Sequence, residues 1–294
     1  MLDRLNNLFG WTPALLIASI NWTRPVSFLA NLLILCSLEN LSTNNRKKMN
    51  ILKNVALEIF GIELAGNLSR WRKYKKRYKT GYFARFGMDK KIERLLPHRN
   101  GFYVELGAND GALASNSYYF ELKKGWKGIL IEPAPNLYLS CVKRRGENND
   151  IFCNACVPFD FEDEFVKMKY SDSMTISDSL DLDIGNKEEF IESGNKNLLP
   201  GEKTFEFGAK SATLNSLLEQ ANAPSVIDFL SLDVEGAELA VLKGVNFAQF
   251  QFKFMLIECR DINNLKVFLE PFGYKLQEKV SHHDYLFASA GSMR

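Results

Sequence analysis

Apolar positions fall into short runs parted by polar and glycine-rich stretches, and beyond residue 100 these runs take on a regular spacing. Phe102-Tyr-Val-Glu-Leu106 is rich in aromatic and β-branched residues and predicts a buried strand. It breaks at Gly107-Ala-Asn-Asp-Gly111, after which an Ala/Ser-rich stretch predicts a helix. Gly128–Ile131 predicts a second strand ending in Glu132 and Pro133, and Ile151–Val157 a third. Asp228–Leu232 and Phe254–Ile257 predict two more, each ending in carboxylates, and Tyr285–Ala288 closes the series. The polar segment Phe159–Lys210 reads as an insertion whose loops, Ser171–Ser179 and Gly194–Gly201, shape substrate choice. Strand, glycine turn, helix and strand together predict an α/β nucleotide-binding unit with its ligand at the carboxyl ends of the strands.

Two earlier apolar runs, Pro13–Ile20 and Val26–Leu38, fall short of the roughly 20 residues a spanning helix needs. They read either as amphipathic helices packed on the main domain or as helices lying on a membrane surface. The chain is thus divided into a helical, basic extension, 1–79, and a main domain, 80–294.

At 294 residues, 46% hydrophobic and 24% charged, the chain can bury a large core and is not of a disordered type. Its net charge of +2 hides an asymmetry. Residues 46–79 hold 11 Lys/Arg against Glu58 and Glu63, a local +9, which leaves −7 for the rest. The run Arg70–Lys79, interleaved with Trp71, Tyr74 and Tyr78, suits an anionic membrane surface, nucleic-acid stacking or a solvated helix face. The acidic remainder argues against nucleic acid, which leaves peripheral membrane contact through 11–79 as one reading beside a solvated face and packing on the main domain. Five scattered cysteines and no signal-peptide pattern predict a cytoplasmic protein, at the inner face of a membrane where the basic arm docks. Cys153 and Cys156 form C-x-x-C without a second pair, which excludes a zinc site of the usual kind.

The glycine turn is G-x-x-x-G, not the G-x-G-x-x-G of dinucleotide sites. Glu105 and Asp110 flank it, repelling phosphate and favouring a ligand with a positive centre. S-adenosylmethionine, with a sulfonium, an ammonium and no phosphate, fits that description. Glu132, 27 positions after Glu105, can accept both ribose hydroxyls, and Asn154, Ala155 and Cys156 are placed to flank the adenine. At the next strand ends Asp233 and Glu235 are candidate general bases. Alternatively Asp233 and Glu258, with Asp261, hold Mg²⁺. His282, of the His282–His283 pair, is a rival base or plain surface.

With these stretches in view, the chain resembles the FkbM-type methyltransferases, class I enzymes dependent on S-adenosylmethionine. The resemblance runs from Gly81 to Ala288. It rests on Gly101–Gly111, Ser115-Asn116, Gly125-Trp126-Lys-Gly128, Ile131-Glu-Pro133, Thr213–Leu218, Leu230–Leu239 and Leu242-Lys-Gly244. Met88 and Asn215 depart from the family pattern. The resemblance implies a Rossmann-like, doubly wound sheet of seven strands, one antiparallel, with helices on both faces. It implies O-methylation of a hydroxyl on a sugar, glycan or related metabolite. It also implies donor contacts from Glu105, Gly107, Asn109, Asp110, Gly111, Asn116, Glu132 and Pro133, with Asp233 and Glu235 facing the acceptor. Nucleic-acid methylation, or a membrane-surface protein with a decayed site, are the competing readings.

Overall fold

Along the chain the strands are β1 Phe102–Leu106, β2 Lys127–Ile131, β3 Asn149–Phe152, β4 Asn154–Val157, β5 Phe165–Tyr170, β6 Ile176–Ser177, β7 Phe205–Thr213, β8 Val226–Leu232, β9 Gln251–Glu258, β10 Tyr274–Lys279 and β11 Asp284–Ser289. The helices are α1 Met88–Leu95, α2 Pro135–Arg145, α3 Lys187–Gly194, α4 Leu214–Gln220, α5 Glu238–Leu242 and α6 Ile262–Leu269. This computed structural model describes residues 77–196, 198 and 203–292, all within the unit Ile62–Arg294. The helices expected over 13–38, the arm up to Lys76 and Cys36 lie outside the described residues. So does the membrane-contact reading of 11–79, except for its last three residues. Among the described residues no helix is long and apolar enough to cross a membrane.

The main sheet has the order β10-β11-β9-β8-β1-β2-β3. Its strands are parallel except β11, which runs antiparallel to β9 and β10. This is the seven-stranded sheet with one antiparallel strand that the resemblance implies. Side-chain alternation builds two core layers. Val104, Leu106, Ile131, Leu232 and Ile257 pack with Leu217 of α4, Leu242 of α5 and Leu265 of α6. Tyr103, Leu130, Phe229 and Leu256 face the other way, onto Ile92 of α1, Phe120 and Cys141 of α2. Burial on both faces is what gives these parallel strands their near-continuous apolar runs. The sheet order reverses at β1, between β2 and β8, which opens a crevice at their carboxyl ends.

Three expectations are corrected. Residues 112–117 after the glycine turn form irregular backbone, not a helix; helix begins only at Tyr118 and runs into a wide turn, Phe120–Lys124. Gly111 and Ala114 at φ +83° and +59° break the helical path there. The third strand splits at Cys153: β3 ends the main sheet, while β4 leaves it to pair with β7. The insertion is a second sheet, of order β4-β7-β5-β6, carrying α3. Ser171–Ser179 therefore contains a short helical turn, Asp172–Met174, and β6. Of the Gly194–Gly201 loop, Gly194 ends α3, while 197 and 199–201 lie outside the described residues.

Candidate active site

A cleft enclosing about 1050 Å³, counting its open mouth, lies over the carboxyl ends of β1, β2 and β8 and is walled by the second sheet. Its floor depends on Gly107. At φ +73° this residue brings the β1 turn so close to β8 that a Cβ would stand 1.8 Å from the Asp233 carbonyl oxygen. The amides of Gly107 and Ala108 both donate to the Ile131 carbonyl (3.1 Å each), which ties the turn to β2 as well. Glycine serves the seam between strands here, and it also lines the cleft.

Glu132 is buried at the end of β2. Its two oxygens accept from the amides of Ala134 (2.9 Å) and Asn109 (2.8 Å). Burial pushes its pKa up to about 7, a rise to which the charges of Asp172 and Asp110 add. Asn109, Pro133, Asn154, Ala155 and Cys156 line the cleft beside it. The Cys156 thiol, pushed up to about 12 by burial, is an apolar wall and not a nucleophile.

Glu105 is surrounded by protein partners of its own. It lines the cleft, yet its carboxylate accepts from the Ser115 hydroxyl (2.8 Å), the Ser117 hydroxyl (2.5 Å) and the Asn116 amide (2.7 Å). Arg145, fully buried, pairs with it at 3.2 Å and with Glu121 at 2.7 Å. Asp110 turns away from the cleft, accepting from the amides of Ala112 (3.1 Å) and Leu113 (2.9 Å) and pairing with Arg144 at 3.4 Å. Gly111 packs against Cys141 and Arg145 of α2. The acidic character read into the glycine turn is thus neutralised by two arginines of α2, which are distant in sequence. What this network does is hold the irregular stretch 112–118 against β1. It presents Asn116, whose Nδ2 donates to Ser231 Oγ (3.0 Å) and whose buried Oδ1 has no partner.

At the far end, Asp233, Glu235 and Glu258 offer carboxylate oxygens within 4.8 Å of one another. Glu235 stands at φ +55°, a conformation that brings it back toward its neighbours. Burial, then the Glu258 charge, pushes Glu235 up to about 8, opposed by Arg260 at 3.6 Å. Crowding by protein, then the Glu258 and Glu235 charges, holds Asp233 well above the usual carboxylate range. Its side chain opens to cleft water, which weakens the first of these causes. Glu238 accepts from the amides of Val234 (3.0 Å) and Gly236 (3.1 Å) and so shapes the turn after β8.

Asp261 is not in this group. It caps α6, accepting from Asn264 N (3.2 Å) and Asn264 Nδ2 (2.7 Å). His282 is exposed on the β10–β11 turn, its ring 5.7 Å from that of His283, and does not line the cleft. Sequence reasoning missed Arg85, Asp172, Thr175 and Ser231, all of which line the cleft. The Ser/Asp-rich run 171–179 was the one signal for two of them. Asp183 was missed as well. It accepts from Arg260 N (2.7 Å) and Asp261 N (3.0 Å), while its own amide donates to the Gly236 carbonyl (3.0 Å). It clasps the insertion to the ends of β8 and β9.

A family model described as the methyltransferase FkbM domain matches residues 105–289, nearly all of the sheet just described. The chain belongs to this family. An FkbM methyltransferase takes its methyl group from S-adenosylmethionine. Solved structures of methyltransferases are similar to this chain only at low identity. A METTL16 methyltransferase domain is 10% identical over 70% of this chain and 68% of its own, at TM-score 0.39. A TehB-like S-adenosylmethionine-dependent methyltransferase from Corynebacterium glutamicum is 9% identical over 75% and 94%, at 0.36. Aeropyrum pernix fibrillarin with natively bound S-adenosyl-L-methionine is 10% identical over 69% and 75%, at 0.36. No curated protein matches the sequence of this FkbM methyltransferase.

Proposed function

We propose that this FkbM methyltransferase methylates a hydroxyl oxygen of a sugar, glycan or related small molecule. The observation that carries this reading is the crowded carboxylate group Asp233–Glu235–Glu258 at one end of a cleft whose other end is floored by Glu132. Bound in the cleft, S-adenosylmethionine supplies a methyl group on an electron-poor sulfonium. Each Glu132 oxygen has one backbone partner and spare lone pairs, so it can accept the ribose hydroxyls; hydrogen bonds to a charged group are worth about 1.5–3 kcal/mol each. The orphan Oδ1 of Asn116 is a ready acceptor for the ammonium, and Ala155 and Cys156 give the adenine an apolar wall.

Holding the acceptor hydroxyl in line supplies most of the rate, since such positioning accounts for about 7–11 kcal/mol of barrier in favourable cases. The remaining task is to remove the hydroxyl proton. An oxygen of Asp233 or Glu235 takes it, and the raised pKa of Glu235 makes that carboxylate a stronger base near neutrality than an ordinary one. Because the base must be unprotonated, the rate rises with pH up to about 8.

A second reading has one specific observation behind it. The oxygens of Asp233, Glu235 and Glu258 form an all-carboxylate donor set of the kind that suits Mg²⁺, with Asp261 outside it. Titrating MgCl₂ against the protein separates the two readings. Binding that Asp233→Asn abolishes supports the metal, and no binding leaves the carboxylates as bases.

The function is tested with labelled S-adenosylmethionine, first for binding and then for transfer to fractionated glycan and envelope extracts. Alkali-stable label in a saccharide fraction is expected. Label confined to amines or nucleic acid, or NADH binding in place of the donor, overturns the reading.

A further inference from the structure

Among the described residues Arg85 is the one cation that lines the cleft. It is exposed and makes no ion pair there, although carboxylates crowd the β8 end. Balancing those carboxylates is the task of Arg260, which stands against Glu235. Arg85 is nonetheless close enough to Glu235 and Asp284 for its charge to act on both carboxyls, and it lines the cleft together with Asp233 and Glu235.

The turn that carries it is costly to form. Phe86 and Gly87 have φ +52° and +68°, and a left-handed phenylalanine is rare because Cβ crowds the backbone. Phe86 is also 76% exposed, so burial does not compensate for that strain. Yet the turn is fixed. Asp89, fully buried, accepts from the amides of Phe83 (2.6 Å) and Ala84 (3.0 Å), and Ala84 bridges to the cleft-lining Ala114. A buried carboxylate thus anchors to the cleft wall a strained turn that displays an unpaired guanidinium. Arg85 lies outside 105–289, the residues that the family model matches.

We propose that Arg85 reads the acceptor, taking an anionic group, phosphate or carboxylate, on a hydroxyl-bearing sugar. A guanidinium fork matches either anion with two hydrogen bonds. The inference rests on the O-methylation reading above and narrows its substrate class to anionic sugars.

The test is binding, by calorimetry on the full chain with S-adenosylhomocysteine present, of matched sugars: glucose, glucuronate and glucose 6-phosphate; N-acetylglucosamine and its 6-phosphate. An anionic member of at least one set is expected to bind about tenfold or more tighter than its neutral counterpart. Comparing glucuronate with the phosphates tells which anion is read. Arg85→Gln should erase the preference and Arg85→Lys keep part of it. Both variants should bind the donor as the wild type does. Equal binding within every set, or a preference that survives Arg85→Gln, overturns the proposal. Failure of the wild type to bind S-adenosylmethionine, measured separately, counts against the methylation reading; the sugar series run without nucleoside still decides the role of Arg85.

Discussion

At the β1–β2 end of the cleft each carboxylate has partners of its own: Glu105 has Arg145 and two serines, Asp110 has Arg144 and two amides, and Glu132 has two amides. At the β8–β9 end Asp233, Glu235 and Glu258 share one arginine, 3.6 Å from Glu235. The first region is settled before any ligand arrives, as a binding floor must be if ordering costs are to be kept out of affinity. The second keeps carboxylates crowded together, the perturbation that the proposed proton transfer would use.

Arg145→Met breaks the contrast most severely, because it leaves Glu105 and Glu121 buried without their counter-charge. A loss of about 3–5 kcal/mol is expected in urea denaturation. Gly107→Ala comes next. Its methyl group would meet the Asp233 carbonyl in a backbone conformation that already disfavours side chains, so a cost of about 3 kcal/mol or more is expected by the same measurement. Glu132→Ala leaves the far end intact and should weaken S-adenosylmethionine binding by about a hundredfold in calorimetry, since two charged hydrogen bonds go.

A smaller effect sharpens the β8–β9 end. Glu235 and Glu238 sit at about 8 when folded, above the usual 4.5, and Asp233 is raised too. A raised folded pKa gives stability that is full below the unfolded value and lost as pH climbs through the folded one. Melting temperature is therefore expected to fall between about pH 4.5 and 8 from this cause, and less steeply in Asp233→Asn. Last, Asp261→Ala should cost only about 1 kcal/mol, the worth of a helix cap, and leave donor binding and any Mg²⁺ binding unchanged.

The settled and unsettled ends were not equally visible in the sequence. Strands β1, β2, β8, β9 and β11 announce themselves because burial on both faces demands unbroken apolar runs, and the carboxylates at their ends follow from direction alone. The partners of those carboxylates do not. Nothing near Glu105 in sequence points to Arg145, 40 positions on, so a neutralised pair reads as a negative turn. The second sheet escaped because its strands are half polar; Phe165–Tyr170 alternates between solvent and core, a two-residue period hidden in a charged stretch. Asp261 and Glu235 look alike in sequence, and only the direction of α6 makes one a cap while the left-handed backbone of the other turns it inward.

The contact of Gly107 with the Asp233 carbonyl leaves no slack between the halves of the site, so a designer who wants a new substrate should leave that seam alone. Asp183 offers the better handle. It fastens the insertion by side-chain bonds to amides, which a transplanted loop carrying one aspartate at the same spot can reproduce. Exchange of the whole β5–β7 module between relatives then tests whether the insertion sets the acceptor while the methyl source is held as before.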